Sequence, residues 1–342
     1  MATGFKTATV NASDVPATLT NFPAYVDLSR LGITTQSEAD SVRCYSDESK
    51  TTELAREIVS TSEMWVKIPS LTSTFTLYVD WDGTSSDYAV TDTYGRNNVW
   101  SDYKAVLHLN ESTGSNAVDS TGSGDWTDNN SVDSTTGQIG SAKDFTKAGS
   151  DHFETTKNLT GGMSALTVSY WFKRETETAP AFLWSFERQA NANDAYNNWA
   201  NLGDSTNKKI DFGLENNSGQ RTIISSTATF NTGTWYMAHQ TWDGSTMRQF
   251  FDGSVDATTG SRTGTFSDNT VQKFIGGNDA QTTRYFDGVI DEVRVRQSYV
   301  GANWITTEYN NQVDESGFWG TWSDVGGGGG GATFVPKITW LT

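Results

Sequence analysis

The chain has 342 residues, a formal net charge of −17 and a pI near 4.5. This charge argues against nucleic acid as a partner, because phosphate binding needs a clustered basic face and the sequence has no such run. A membrane-inserted helix is also not indicated, since no apolar stretch reaches roughly 18 residues. Aromatic residues make up 12% of the chain and only five prolines are present, which favours β-sheets over helices.

Short strands with alternating apolar and polar residues are predicted in the first segment, residues 5–83. They are Ala24–Leu28, Ser41–Tyr45, Met64–Ile68 and Thr74–Trp81. In the last of them, every second residue from Phe75 to Trp81 shares one face, as a half-buried antiparallel strand requires. The single cysteine, Cys44, excludes an intramolecular disulfide and is interpreted as a core residue.

A polar, turn-rich stretch at 84–98 predicts a linker, and a second strand system begins at Val99. The Ser-, Thr-, Asn- and Gly-rich excursion that follows runs to about Thr136. Loops of this length inside a compact domain are seldom idle, so this one is expected to be functional or metal-bound.

Asp-Gly pairs mark the clearest hairpins further along the chain. Asp243-Gly244 separates two strand-like runs, and Asp252-Gly253 follows one strand later. Both central positions of such turns favour positive φ, which Asp and Gly tolerate. A strand is predicted at Val289–Arg296 and a short helix at Asn303–Asn310.

Three ordered blocks of the second segment carry a family resemblance. Leu166–Lys173, Gly233–Gly253 and Phe286–Val295 resemble strand blocks of laminin-G-like jelly rolls in the concanavalin A-like superfamily. The resemblance implies a two-sheet sandwich over residues 99–317. It leaves function open, because this superfamily holds lectins, hydrolases and adhesion modules.

The first segment has a resemblance of its own. Asp40–Tyr45 and Glu53–Ile58 are similar to a small β-domain family of unknown function often found ahead of such jelly rolls, and Val99–Leu109 resembles their usual joint. The expected fold is therefore all-β with two domains: a small antiparallel β-sandwich at 5–83, then the linker and the jelly roll. A Gly-rich tether and anchor peptide at 318–342 complete the chain.

Catalytic motifs are missing from the sequence. Glycosidases of this superfamily carry Glu-x-Asp-x-x-Glu on one strand, and this chain has none. Asp291 and Glu292 are adjacent, so period two predicts that they face opposite sides. No Gly-x-Ser-x-Gly or phosphate loop occurs, and the three scattered histidines are interpreted as structural. They are His108, His152 and His239. The protein is accordingly expected not to be an enzyme.

Asp291 is the most informative carboxylate. Period two places it on one face with Val289 and Val293, and an inward carboxylate needs a partner. One interpretation supplies backbone N–H groups and a neighbouring Arg; the other supplies calcium, with oxygens from the acidic stretches around 119–128 and 151. The candidate calcium ligands are Asp119, Asp151 and Asp291. Calcium is the only cofactor that the sequence suggests.

A polar stretch with aromatic residues, Asn191–Trp199, has the composition of a glycan-binding loop. The candidate ligand-binding residues are Asn193, Asp194, Tyr196 and Trp199. The alternative interpretation is a polar loop whose Trp199 begins the next strand and enters the core.

Six consecutive glycines, Gly326–Gly331, predict a flexible tether. The apolar residues beyond it suggest an assembly anchor that pairs with a neighbouring subunit; a frayed terminus is the alternative. The candidate anchor residues are Phe334, Ile338, Trp340 and Leu341. No N-terminal secretory signal is recognisable.

Together these features predict a non-catalytic binding and structural protein whose partners are a glycan or host-surface ligand and, through the tail, other subunits. A bacteriophage virion surface component, such as a decoration, fibre or tail protein, is the favoured interpretation. A secreted or surface-attached bacterial adhesin at the cell surface is the second, and a glycan-degrading enzyme is the third.

Overall fold

The structure of the protein is a computed structural model. It describes residues 3–176, 180–186, 198–203, 208–266, 272–278 and 283–326. Antiparallel strands dominate this part of the chain, which confirms the predicted all-β class.

The strands of the first domain and of the C-terminal end have between two and nine residues. They are β1 (Gly4–Thr9), β2 (Leu19–Asp27), β3 (Arg43–Tyr45), β4 (Glu53–Leu54), β5 (Arg56–Ile58), β6 (Glu63–Leu71), β7 (Thr76–Trp81) and, at the other end, β23 (Ser323–Asp324). The strands between them are β8 (Ala105–Leu107), β9 (Thr127–Asn129), β10 (Asp133–Thr136), β11 (Ser141–Phe145), β12 (His152–Thr155), β13 (Leu166–Arg174), β14 (Ala181–Phe186), β15 (Asn198–Leu202), β16 (Ile210–Glu215), β17 (Arg221–Ser225), β18 (Trp235–Trp242), β19 (Thr246–Phe251), β20 (Ser254–Ser261), β21 (Lys273–Ile275) and β22 (Gly288–Arg296).

Helices are few and short in the described ranges. They are α1 (Gln36–Asp40), α2 (Arg96–Val99), α3 (Ala302–Val313) and α4 (Glu315–Trp319). The predicted helix at 303–310 is confirmed by α3. Among the described residues, no helix combines the length and the apolar character needed to cross a membrane.

Two small sheets form the first domain. One has the order β23-β1-β7-β3-β4 and the other the order β2-β6-β5. The face predicted for the strand ending at Trp81 is confirmed, because Leu77 and Val79 are fully buried in the core between the sheets. Cys44 is also fully buried there, as expected.

Two larger antiparallel sheets form the second domain. The eight-stranded sheet has the order β10-β11-β22-β13-β18-β19-β20, with β8 also paired to β22, and the seven-stranded sheet has the order β17-β16-β15-β14-β21-β12-β9. Their facing side chains make the largest core, which includes Tyr170, Trp184 and Phe212. The sandwich predicted for this part of the chain is confirmed.

Both Asp-Gly turns lie where the sequence predicted them. Asp243-Gly244 joins β18 to β19, and Asp252-Gly253 joins β19 to β20. Asp252 and Gly253 have φ of 49° and 76°, so the second turn uses the positive φ that these residue types favour.

The face assignment predicted for β22 is wrong. The core contains Ile290, Val293 and Val295 but not Val289. A register shift against β13 between Ser169 and Trp171, together with a φ of 53° at Glu292, inserts a β-bulge into the strand. The extra residue shifts the alternation, so strict period two does not hold along β22.

The long excursion after Asn110 is part of both sheets. Its strands β9 and β10 form one edge of the seven-stranded and of the eight-stranded sheet respectively. Trp126 is fully buried and Ala117 pairs with it as an isolated bridge. Folding into two sheet edges accounts for the length of this segment.

The start of the predicted tether is folded. Phe318 and Trp319 are fully buried in the first domain's core, and β23 pairs with β1. The tether therefore begins later than residue 318, because these aromatic side chains have a core to join. The anchor residues Phe334, Ile338, Trp340 and Leu341 lie outside the described residues.

The predicted linker also packs on the first domain. The Arg56 amide donates to the Tyr94 carbonyl at 3.0 Å, and the Arg56 guanidinium forms an ion pair with Asp87. Trp100, just beyond the linker, is fully buried against Trp65. The segment predicted as a linker is therefore packed against the first domain.

Candidate functional site

Charged side chains from both domains meet on the outer side of the eight-stranded sheet, beneath the first domain. The buried charge ladder, as we name it, comprises Glu57, Glu63, His108, His239, Glu292, Arg294 and Glu308. None of these residues is more than 5% exposed. Burying so many ionisable groups is costly unless they are paired, so their contacts decide what the cluster does.

His108 is the centre of one half of the ladder. Its Nδ1 lies 2.8 Å from Glu292 Oε1 and 3.4 Å from Glu63 Oε1, and its Nε2 lies 3.1 Å from Glu57 Oε2. Two of the three carboxylates belong to the first domain. His108 therefore joins the domains through both ring nitrogens.

Arg294 is the centre of the other half. Its two terminal nitrogens donate to Glu292 Oε2 at 2.6 Å and to Glu308 Oε1 at 2.9 Å. Glu308 Oε2 lies 3.2 Å from His239 Nε2. The ladder thus runs from the first domain across β22 to helix α3.

Indole groups complete the hydrogen bonding of the carboxylates. Trp65 Nε1 donates to Glu63 Oε1 at 3.0 Å, and Trp100 Nε1 donates to Glu57. The Arg294 guanidinium lies 4.0 Å from the centre of the Trp65 ring, within cation–π range. The pairs and rings offset part of the loss of water around these charges, while Arg294 Nε and His239 Nδ1 are buried without a hydrogen-bond partner among the described residues.

The surroundings move the pKa values of the ladder in opposite directions. Burial, followed by repulsion from Glu292, raises the pKa of Glu63 to about 8. Burial alone would lower the pKa of His108, but Glu292 and Glu57 outweigh it and raise that pKa well above 6.5. Burial opposes ionisation of Glu308, yet its bond to His239 and the nearby arginines lower its pKa to about 2. His108 and Glu63 are therefore both protonated near neutral pH.

Glu63, His108 and Glu292 are the described residues that have the geometry for a metal ion, with ligand atoms within 4.8 Å of one another. A pocket of about 200 Å³ reaches His108 and Glu57 from the outside. However, both nitrogens of His108 already contact carboxylates, and its raised pKa means that a proton competes with any cation. The observed geometry is that of a hydrogen-bonded ion-pair network.

The three candidate calcium ligands lie apart and have separate partners. Asp119 pairs with Lys157 and accepts from the Val106 amide at 3.2 Å. Asp151 accepts from the Thr146 amide at 2.9 Å, and Asp291 Oδ2 accepts from the Ile139 amide at 3.0 Å. The backbone part of one of the two interpretations of Asp291 is thus present at Oδ2, whereas Oδ1 is buried without a hydrogen-bond partner among the described residues. No shared metal cluster of the three occurs among the described residues.

The outer side of the seven-stranded sheet holds the one described candidate of the glycan loop. Trp199 lies on β15, is 4% exposed and meets Phe182 edge to face, with ring centres 6.2 Å apart. This pair is separate from the main core. A β-carbon at Gly213 would lie 2.5 Å from Trp199 Cε2, so the indole lies directly over the bare backbone of β16. Asn193, Asp194 and Tyr196 fall outside the described residues.

Polar side chains surround this aromatic pair. Asn278 Nδ2 donates to Ser185 Oγ at 2.8 Å, and Asn201 follows Trp199 by two positions on β15. Asn201 Oδ1 is buried and has no hydrogen-bond partner among the described residues. An unsatisfied acceptor beside aromatic rings is a feature that a ligand hydroxyl would complete.

Comparison with known families agrees with this architecture. Residues 147–306 match the sequence profile of a laminin-G-type family described as the concanavalin A-like lectin/glucanases superfamily. This segment is a concanavalin A-like jelly roll. A search of curated protein sequences finds no match to the chain.

Several solved structures are similar to part of this chain. A pentraxin from Limulus polyphemus is 17% identical with a TM-score of 0.37, over 45% of this chain and 73% of its own. Domain 4 of an extracellular arabinanase from Geobacillus stearothermophilus, solved with arabinotriose, is 17% identical with a TM-score of 0.45. The match covers 60% of this chain and 96% of that domain. The binding domain of a paraclostridial mosquitocidal protein is 13% identical with a TM-score of 0.47. The match covers 60% of this chain and 52% of that one.

Sequence reasoning missed the buried charge ladder. It treated His108 and His239 as scattered structural residues, whereas the jelly roll and the first domain bring both into one network. The available signal was a charged residue between apolar neighbours in a strand, such as Arg294 between Val293 and Val295 in β22. Sequence spacing did not indicate the cluster, because its side chains come from five different elements and from His108, which follows β8.

Proposed function

We propose that the protein is a non-catalytic binding and assembly component of a bacteriophage virion surface, a decoration, fibre or tail protein. In this function the jelly roll is displayed to a glycan or host-surface ligand. The first domain supports the jelly roll from behind, and the C-terminal tail joins it to other subunits.

One observation carries the proposal: the two sheets of the jelly roll differ in what covers them. Trp171 on the outer side of the eight-stranded sheet stacks on Tyr309 of α3 and donates to Gln312 at 2.7 Å. Arg294 on the same side is stacked on Trp65 of the first domain. Both faces of this sheet are therefore covered. The ligand accordingly binds on the side of the seven-stranded sheet and its connections.

The seven-stranded side has the residue types for saccharide binding. Trp199, Phe182 and the unsatisfied Asn201 Oδ1 lie together there. The connection from Phe186 to Asn198 carries Asn193, Asp194 and Tyr196, which we propose as ligand contacts beside Trp199. Aromatic faces with amide groups beside them suit sugar rings, which present both C–H faces and hydroxyl groups.

A catalytic role is disfavoured by the position of the carboxylates. Glu63 and Glu292 approach each other through His108, but both are at most 2% exposed and tied to neighbouring side chains. A glycosidase needs its two carboxyl groups on either side of a bound glycosidic bond. A saccharide chain has no access to a pair buried between two domains.

Calcium remains a proposal within this function. Asp119 and Asp151 have protein partners, and Asp291 has one at Oδ2 only. Asp291 Oδ1, Asp128 Oδ2 and Glu111 Oε2 are buried and without a hydrogen-bond partner among the described residues. Hard carboxylate oxygens of this kind suit calcium, and Asp128 lies in the acidic excursion that the sequence singled out.

The test measures binding and turnover separately on one panel of bacterial surface glycans. We expect binding without turnover, weakened by Asn193→Ala and by Tyr196→Ala. Asn217→Ala, an exposed asparagine in the β16–β17 turn, is the matched control and should bind as the unmodified protein does. Turnover that disappears in Asp291→Asn or Glu292→Gln would show an enzyme instead. Electron microscopy of particles that copurify with the protein tests the virion assignment.

A further inference from the structure

A second pocket opens where the first domain meets the start of helix α3. Its volume is about 440 Å³, and it is lined by residues 17–20 of the first domain, by Arg296 at the end of β22 and by residues 299–304. It lies apart from the seven-stranded sheet, and none of the contacts described above uses it.

The N-terminus of α3 faces this pocket without a cap. The N-cap residue is Gly301, which makes no side-chain hydrogen bond, and the first turn of this 12-residue helix contains no acidic residue. The first intrahelical bond is donated by the Ile305 amide, at 3.2 Å from the Gly301 carbonyl. The preceding N–H groups therefore point out of the helix end, where the helix dipole favours an anion.

Arg296 gives an independent indication of an anion-binding site. It is 9% exposed, and its Nε and Nη1 are buried without a hydrogen-bond partner among the described residues. Its guanidinium is held between the rings of Tyr103 and Trp304, at 4.8 and 4.6 Å from their centres. The nearest carboxylate, Asp102, is 3.6 Å from Nη2 and 39% exposed, beyond hydrogen-bond distance. Leaving a buried arginine so poorly paired is unfavourable unless a ligand completes it.

We propose that this pocket binds the carboxylate or sulfate group of an acidic saccharide. Arg296 and the amides at the start of α3 bind the oxyanion, since a guanidinium and a helix N-terminus both donate to such groups. The pocket is larger than an oxyanion alone. Its rim has the exposed hydroxyls of Thr18 and Thr20 and the ring of Tyr299, which is 38% exposed, and these suit the sugar that carries the anion.

The saccharide part of the proposal rests on the glycan-binding function proposed above, whereas the oxyanion part rests on the pocket alone. The site would select acidic over neutral surface glycans. It would also couple ligand binding to the domain interface, because its lining comes from both domains.

The experiment is titration by calorimetry and NMR at constant ionic strength with glucuronate, a sulfated monosaccharide, inorganic sulfate and glucose. We expect glucuronate or the sulfated sugar to bind more tightly than inorganic sulfate, and glucose not to bind. Arg296→Gln should weaken binding at least about tenfold, because it removes a charge-assisted pair. Ala302→Pro should weaken it by about two- to fivefold, since proline is tolerated at the first helical position but lacks the N–H.

Lys104→Gln is the matched control. Lys104 is exposed and is not among the residues that line the pocket, although its amide donates to the carbonyl of Val295, next to Arg296, so loss of its charge should leave affinity unchanged. Circular dichroism establishes that each variant is folded, and Ala302→Pro tests the site without touching the buried arginine. The proposal would be overturned if the protein bound inorganic sulfate but no acidic sugar, or if it bound no anion. It would also be overturned if Arg296→Gln and Ala302→Pro both bound as tightly as the unmodified protein. Binding of neutral glycans that survives in Arg296→Gln would leave the proposed function standing without this site.

Discussion

The guanidinium of Arg294, on the jelly roll, lies 4.0 Å from the centre of the Trp65 ring, on the first domain. The same guanidinium donates to Glu292 and Glu308. The Arg294 side chain thus connects the first domain, the eight-stranded sheet of the jelly roll and helix α3. The interface is held by a buried cation and its partners as well as by apolar packing.

Replacement of Arg294 tests this arrangement. Arg294→Met retains the apolar volume but leaves two buried carboxylates without their cation, and we expect a loss of about 3–5 kcal/mol in the free energy of unfolding. The matched control is Arg248→Met, which breaks the partly exposed pair with Asp243 and should cost about 1 kcal/mol or less. Urea denaturation measures both. Equal effects of the two substitutions would show that the ladder does not stabilise the fold.

The ladder also predicts how stability depends on pH. The pKa of Glu63 is raised from 4.5 to about 8, so its contribution is complete below pH 4.5 and is lost as pH rises through 8. The raised pKa of His108 acts in the same direction. The pKa of Glu308 is lowered to about 2, so its contribution is present above pH 4.5 and is lost as pH falls towards 2. We expect stability to fall on both sides of mildly acidic pH.

Glu63→Gln separates these contributions. A neutral amide cannot lose a proton, so the alkaline loss of stability between pH 6 and 9 should become smaller than in the unmodified protein. Glu48→Gln, at an exposed position, should follow the unmodified curve. The measurement is the free energy of unfolding across that pH range. Parallel curves for Glu63→Gln and the unmodified protein would contradict the raised pKa.

The close approach of Trp199 to Gly213 predicts a sensitive glycine. Gly213→Ala places a β-carbon 2.5 Å from the indole, and we expect a loss of about 1–3 kcal/mol together with a change in tryptophan fluorescence. Gly203→Ala is the control, because its β-carbon would meet nothing nearer than 3.4 Å. If the two variants have the same melting temperature, Trp199 is not fixed over β16.

Calcium binding predicts a higher melting temperature in calcium than in EDTA, since a ligand that binds only the folded state stabilises it. Asp128→Asn should remove this increase if the unsatisfied Asp128 Oδ2 is a ligand. Asp125→Asn serves as the control within the same acidic segment. Identical melting curves in calcium and EDTA would exclude the metal.

Truncations distinguish the folded end of the chain from the proposed anchor. Deletion of Ala332–Thr342 should leave a folded, soluble monomer that no longer joins its assembly. Deletion from Phe318 onwards should destabilise the first domain, because Trp319 is fully buried and its Nε1 donates to the Tyr25 carbonyl at 2.8 Å. Size-exclusion chromatography and melting curves measure both. Full assembly by the shorter deletion would show that the tail is not an anchor.

Local sequence patterns determined much of the fold. Period-two alternation identified the strand ending at Trp81, and the Asp252-Gly253 pair identified a turn whose positive φ values are observed. The blocks from Leu166 to Val295 indicated the jelly roll that the family comparison supports. These features are readable because neighbouring residues alone set the backbone conformation or the buried face.

Tertiary structure decided the site. A single bulge at Glu292 shifts the alternation along β22, so that Val289 lies outside the core that contains Val293 and Val295, and no alternation rule foresees an inserted residue. His108 and Glu292 are 184 positions apart in the chain, yet they lie 2.8 Å apart in the ladder. Likewise, Arg296 forms a candidate anion site only because the fold places the start of α3 beside it in the same pocket. Residue types specify which groups need partners, but the packing of one domain on the other decides which partners they receive.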